Sequence, residues 1–196
     1  MHQSSFDKML AFRNNYLHGR ENEQLTILDL GSQDVNGAYK KIFEGLHWKY
    51  IGVDIGAGRN VDIILKDMYK WEEFSSDSVD VIISGQAFEH IEFFWLTMRE
   101  ISRILKPSGV CCIIAPSSGT EHRHPVDCWR FYSDGFKALA KWAGLSVIFV
   151  ETQWENLGYK DGSDSWKDSV LIAQKPKASS WFHRIIAAFK RTLSVR

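Results

Sequence analysis

Two short stretches hold most of the side chains that could move a proton or hold an ion. One is Glu89-His90; the other runs Thr120-Glu121-His122-Arg123-His124-Pro125-Val126-Asp127-Cys128-Trp129-Arg130-Phe131-Tyr132. Imidazole titrates near neutral pH and makes a good general base, and a carboxylate beside it can take a proton or orient the ring. His90 and His124 are therefore the candidate bases, with Glu89 and Asp127 as the acids that would assist them. Blander uses compete with these roles. Asp127 and Arg130 can pair to hold the loop, Trp129 and Phe131 can pack it down, and Glu89-His90 can simply open a helix. His122, His124, Asp127 and Cys128 also lie close enough in sequence to suggest metal ligands. Metal ligands must converge, however, and Pro125 constrains the segment, so no metal is expected.

Positioning these groups falls to short β-branched runs that alternate with segments of helical period, the pattern of βαβ units. Strands are predicted over 26–30, 50–53, 62–65, 79–84 and 110–115. Phe94, Met98, Ile101 and Leu105 predict a helix over 92–105, ended by Lys106-Pro107-Ser108-Gly109. A second helix fits 133–143, with Ser133 as N-cap and Gly144 just past its end. Two further strands, 146–152 and 169–174, have no helix between them and should form an antiparallel hairpin. The expected fold is α/β, a doubly wound Rossmann-like sheet, mostly parallel with an antiparallel strand at one edge. A helix over 5–17, with Phe6, Met9, Leu10 and Leu17 near one face, could close over a ligand as a lid or could cover the sheet. The domain boundaries expected are an N-terminal helix over 1–20, a main domain over 21–176 and a C-terminal helix over 177–196.

In open α/β sheets ligands bind beyond the carboxyl ends of the strands, and here those ends are polar. They read Asp29-Leu30-Gly31-Ser32, Asp54-Ile55, Asp67-Met68 and Ser84-Gly85-Gln86. A phosphate loop would need Gly-Lys-Ser/Thr after Gly31, and none follows. A dinucleotide loop would need Gly-x-Gly-x-x-Gly, but Gln33 stands where the second glycine is usual and Asp34 would sit near the anion. S-adenosylmethionine carries a sulfonium, an ammonium and a ribose but no phosphate, so acidic side chains around it are favourable.

Four motifs in order, Asp29-Leu30-Gly31, Val53-Asp54, Ala87-Phe88-Glu89-His90-Ile91 and Arg103-Ile104-Leu105-Lys106-Pro107-Ser108-Gly109-Val110, resemble those of class I S-adenosylmethionine-dependent methyltransferases. The resemblance is strongest to the broad small-molecule, type 11-like group. It implies that Asp29, Gly31 and Ser32 line the methionine end, that Asp54, followed by Ile55, accepts the ribose hydroxyls, and that Asp67 with Met68 meets the adenine, with Gln86 also at the cofactor. The string from His124 to Phe131 resembles one found in a bacterial methyltransferase group tied to glycan or specialised-metabolite pathways. A small-molecule or glycan-type acceptor, methylated at oxygen, is the implied substrate. A cofactor-binding module without turnover and a nicotinamide-dependent oxidoreductase remain the alternatives.

Composition limits the remaining classes. The 196 residues suit one sizeable core. Neither a secretory leader nor a long apolar run is present, and the three cysteines offer no disulfide framework, which makes a cytoplasmic chain the expectation. Net charge is zero, yet six basic residues and no acidic ones fall between Lys175 and Arg196, leaving the body at a formal charge of −6. An acidic body argues against nucleic acid as a partner. The segment 180–196 places Trp181, Phe182, Ile185, Ile186, Phe189 and Leu193 on one helical face with basic residues off it. That pattern suits peripheral contact with an anionic membrane, at the inner face, or packing against the acidic body. Oligomeric state is not legible.

Overall fold

The computed structural model describes residues 2–177, so the helix expected over 177–196 lies almost wholly outside the described residues. The elements are α1 (Gln3–Tyr16), β1 (Thr26–Leu30), α2 (Lys40–Phe43), β2 (Lys49–Asp54), β3 (Ile63–Ile64), β4 (Val79–Gly85), α3 (Phe94–Ile104), β5 (Leu105–Ala115), α4 (Ser133–Trp142), β6 (Ser146–Thr152) and β7 (Ser169–Gln174). They build one seven-stranded sheet in the order β3-β2-β1-β4-β5-β7-β6. All neighbours are parallel except around β7, which runs antiparallel to both β5 and β6. The antiparallel strand thus lies one place in from the edge, and β6 forms the edge itself.

Strand periodicity assigns the two faces. Leu28, Leu30, Ile82, Cys111, Ile113 and Leu171 point to the side covered by α3 and α4, where Trp71, Met98, Ile101 and Phe136 fill the core. Ile27, Val81, Ile83, Cys112, Ile114 and Ile172 point to the other side, against Met9 and Phe12 of α1 and Ile42 and Phe43 of α2. Both faces are therefore dry over the central strands, as a mostly parallel sheet requires, while the edge strand β6 is largely exposed. Among the described residues no helix is long and apolar enough to cross a membrane.

Three local expectations are corrected. Ser133 is the first residue of α4 rather than its cap; Tyr132 occupies the cap position and makes no side-chain bond. The capping oxygen comes from across the fold, since the Ser133 N–H donates to Thr152 Oγ1 at 3.0 Å. The Lys106–Gly109 segment is not a turn after the helix but the start of β5, which follows α3 directly and pairs with β4 through an irregular register. On α1 the buried face holds Ser4, Ser5, Met9 and Phe12, whereas Leu10 is exposed. The end of α4 is as expected: Gly144 sits at positive φ, its N–H reaches Lys141 O and that of Leu145 reaches Ala140 O.

Candidate active site

β1 and β4 are adjacent, but the chain leaves them in opposite directions across the sheet, so a crevice opens at their carboxyl ends. A cavity of about 680 Å³ lies there. Its wall includes Asp29, Gly31, Ser32, Asp54, Ile55, Met68 and Gln86, seven of the eight residues expected at the cofactor. Asp67 is beside Met68 but outside the lining; its Oδ1 accepts the Tyr69 N–H at 2.7 Å and shapes that turn. His90 and His124 line the far end, joined by His122, while Glu89 and Asp127 stand behind them.

The first loop is built by close approach. Gly31 has φ +76°, and a Cβ there would stand 2.5 Å from the Cβ of Ala87. Only glycine lets β1 turn this tightly against the segment after β4. Ser32 is buried and its hydroxyl donates to Asn60 O at 2.9 Å. Asp54 accepts the Ile55 N–H at 2.7 Å and the Gln33 N–H at 3.1 Å, which fixes its carboxylate at the cavity wall with lone pairs to spare. The Gln33 side chain packs on Gly58, and Asp34 accepts the Gly37 N–H at 2.7 Å. Both residues shape the turn.

Asp29 is 2% exposed, and its Oδ2 accepts the Tyr50 hydroxyl. Its Oδ1 is buried and has no hydrogen-bond partner. Burial pushes the carboxyl up to about 7, against the opposing effect of the Tyr50 hydroxyl, with the Asp54 charge adding to the rise. An unpartnered carboxylate oxygen in a cavity wall is suited to a ligand cation. A stability consequence follows. The folded value lies above the unfolded one, so the stability is fully present below pH 4 and is lost as pH rises toward 7. Between pH 5 and 8 the ligand-free protein should lose about 2 kcal/mol that Asp29→Asn does not lose, read by urea unfolding at both pH values.

Gln86, at φ +58°, lines the cavity and donates its amide to Asp168 Oδ1 at 3.0 Å and Ser5 Oγ at 3.3 Å. Asp168 is buried and also accepts the Ser4 hydroxyl at 2.5 Å. The same belt carries a Ser5–Tyr39 hydroxyl pair at 2.5 Å. It ties the start of α1 to the strand ends, and His2 reaches the cavity wall.

At the far end, the loop after β5 is held to the 3-10 turn Phe88–His90 by the N–H groups of Cys128 and Trp129, both donating to Glu89 O. Asp127 is bound by both nitrogens of the Arg130 fork at 2.6 and 2.9 Å and by the His122 N–H at 2.8 Å. The Arg130 guanidinium holds its carboxyl well below the ordinary range. Asp127 is thus loop scaffold, and Phe131 is buried core while Trp129 stays partly exposed. Glu89 is fully buried, and burial raises its carboxyl to about 8. His90 donates Nδ1–H to Val126 O at 2.5 Å, which leaves Nε2 as its lone-pair nitrogen. Burial lowers its basicity. The rings of His90, His122 and His124 lie 4.9 to 6.2 Å apart.

Tyr50, Tyr39, Asp168, His2 and Trp166 were not legible as site residues. None sits in a motif, and each arrives through pairing between distant segments; His122 was legible only as one of four candidate metal ligands.

A family model described as a methyltransferase domain matches residues 28–113. No curated protein matches the sequence. Among solved structures, the CurJ carbon methyltransferase superposes with a TM-score of 0.59 at 18% identity, over 80% of this chain and 50% of its own, so this chain spans about half that protein's length. The 1,6-didemethyltoxoflavin-N1-methyltransferase of Burkholderia thailandensis gives 0.67 at 14% identity, over 89% and 79% of the two chains. A SAM-dependent methyltransferase from Methanosarcina mazei gives 0.62 at 14%, over 83% and 98%. At these identities the structural likeness is one of fold. The matched methyltransferase domain, the sheet order and the acid-lined crevice together agree with the fold of S-adenosylmethionine-dependent methyltransferases.

Proposed function

We propose that the protein transfers a methyl group from S-adenosylmethionine to an oxygen of a small-molecule or glycan-type acceptor. The observation that carries this reading is one cavity lined both by Asp29, with an unpartnered buried carboxylate oxygen, and by the imidazoles of His90, His122 and His124. When bound, the cofactor supplies a methyl group on a sulfonium, an electrophile with a good leaving group. Asp29 would hold its ammonium, Asp54 its ribose hydroxyls, and Met68 would lie beside its base. These residues set position, and positioning alone lowers the barrier substantially.

An acceptor hydroxyl also needs to lose its proton. His124 is exposed at the cavity wall, and of the two candidate bases it is the one without a tied ring nitrogen, so it takes that role. His90 is held by Val126 and orients the acceptor. The test is transfer of labelled methyl to extracts of glycans and small metabolites. His124→Ala should lower kcat about 100-fold with little change in cofactor affinity. Transfer undiminished in that variant would remove His124 from the reaction. Cofactor binding with no transfer to any acceptor would favour a binding module.

A further inference from the structure

We propose that Glu89, His90 and His122 form a binding site for one divalent first-row transition metal, of which zinc is the reference ion. Among the described residues these three form the one His/Cys/Asp/Glu group whose ligand atoms converge, one atom from each lying within 4.8 Å of the others. The set that sequence proximity suggested does not converge, because Asp127 is taken by Arg130.

Three observations point to an ion rather than to packing. First, Glu89 is 0% exposed and both its oxygens lack a hydrogen-bond partner; its own backbone N–H acts on the carboxylate only outside hydrogen-bond geometry. A fully buried carboxylate without a donor is costly to keep unless something positive meets it. Second, the bond from His90 Nδ1–H to Val126 O turns the Nε2 lone pair toward Glu89 Oε1, 3.7 Å away. That separation is too long for a shared proton. An ion bonded at about 2.0–2.2 Å to both atoms spans roughly 3.3–3.8 Å between them, so it fits the gap. Third, the outer contacts are those that orient metal-bound imidazoles. His90 is braced by a backbone carbonyl, and the buried His122 Nδ1, without a hydrogen-bond partner, lies 3.3 Å from Asp127 Oδ2, a carboxylate itself fixed by Arg130.

His122 must come up to about 1.5 Å closer to complete the set, since its ligand atom lies within 4.8 Å of the others and ligand atoms around one ion stand roughly 3.3 Å apart. It sits on the loop after β5 and is half-buried, so the movement is local. Two imidazoles and one carboxylate select zinc, cobalt, nickel, iron or manganese over magnesium and calcium. Three protein ligands leave coordination positions facing the cavity, the arrangement of an ion that handles a substrate rather than one that only braces the fold. In that use the ion binds the acceptor oxygen and eases loss of its proton to His124; this use, though not the site, rests on the methyl-transfer reading.

The experiment uses full-chain protein stripped with a chelator, titrated calorimetrically with zinc and, separately, with cobalt followed by its visible absorption. The expected result is one equivalent bound, weakened at least 100-fold in both Glu89→Gln and His122→Ala, with millimolar magnesium not competing. Because Glu89 is buried, S-adenosylhomocysteine affinity is measured on each variant as the check of folding, and His122→Ala carries the result if Glu89→Gln fails that check. No stoichiometric binding, or binding unchanged in His122→Ala, overturns the site. Zinc binding without methyl transfer would retain the site and overturn its use on an acceptor; methyl transfer without zinc binding would overturn the site and its use and leave the methyl-transfer reading standing.

Discussion

Asp54→Ala should weaken S-adenosylhomocysteine binding about 100-fold or more, because two charge-assisted hydrogen bonds to ribose hydroxyls disappear at about 1.5–3 kcal/mol each. The carboxylate stands at the cavity wall and already accepts the N–H groups of Gln33 and Ile55. Those bonds mean that the substitution also loosens the first loop. Asp54→Asn separates the two effects, since it keeps an acceptor for one N–H but loses the charge. Its affinity should fall between wild type and alanine. A loss below threefold in Asp54→Ala would take the ribose role away from this residue.

Gly31→Ala should destabilise the protein by about 2–4 kcal/mol and lower its Tm by roughly 5–15 °C. Two costs add at that position. The backbone at φ +76° disfavours any side chain, and the new Cβ would meet that of Ala87 at 2.5 Å. Ala87→Gly in the same chain removes the second cost and leaves the first, so the double variant should recover part of the lost Tm. Full recovery would show that the backbone angle relaxes, and no recovery would show that the contact with Ala87 is not what confines the loop.

Much of the fold was legible because local and tertiary preferences agree. β1, β2, β4 and the hairpin β6–β7 fall within a residue of their predicted bounds, because β-branched runs mark strands both where the sheet is buried, as in β1 and β4, and at its exposed edge, as in β6. Where a partner lies far away in the chain, the local signal pointed to the wrong role. Ser133 has the right type for a cap, but Thr152 supplies the oxygen. Asp127 is the contrary case: of the two uses its type and spacing offered, the nearby pair with Arg130, together with the His122 N–H, takes its acceptors. The cofactor end was readable because motif residues sit at strand ends, and strand ends are where the sheet opens. The histidine end was only half readable. His122 reaches the cavity because backbone bonds from Cys128 and Trp129 dock its loop on the Phe88–His90 turn. No spacing along the chain announces that contact. Gln33, which breaks the expected glycine pattern, is explained by packing: its side chain lies on Gly58 and its N–H serves Asp54.

The central claim is that an acid-lined crevice, lacking a phosphate loop, holds a cationic nucleoside. Calorimetric titration of the full chain with S-adenosylmethionine, S-adenosylhomocysteine and NAD tests it most directly. Single-site binding of both adenosyl compounds, each weakened by Asp54→Ala, with no measurable binding of NAD, is the expected result. Binding of NAD alone would contradict it.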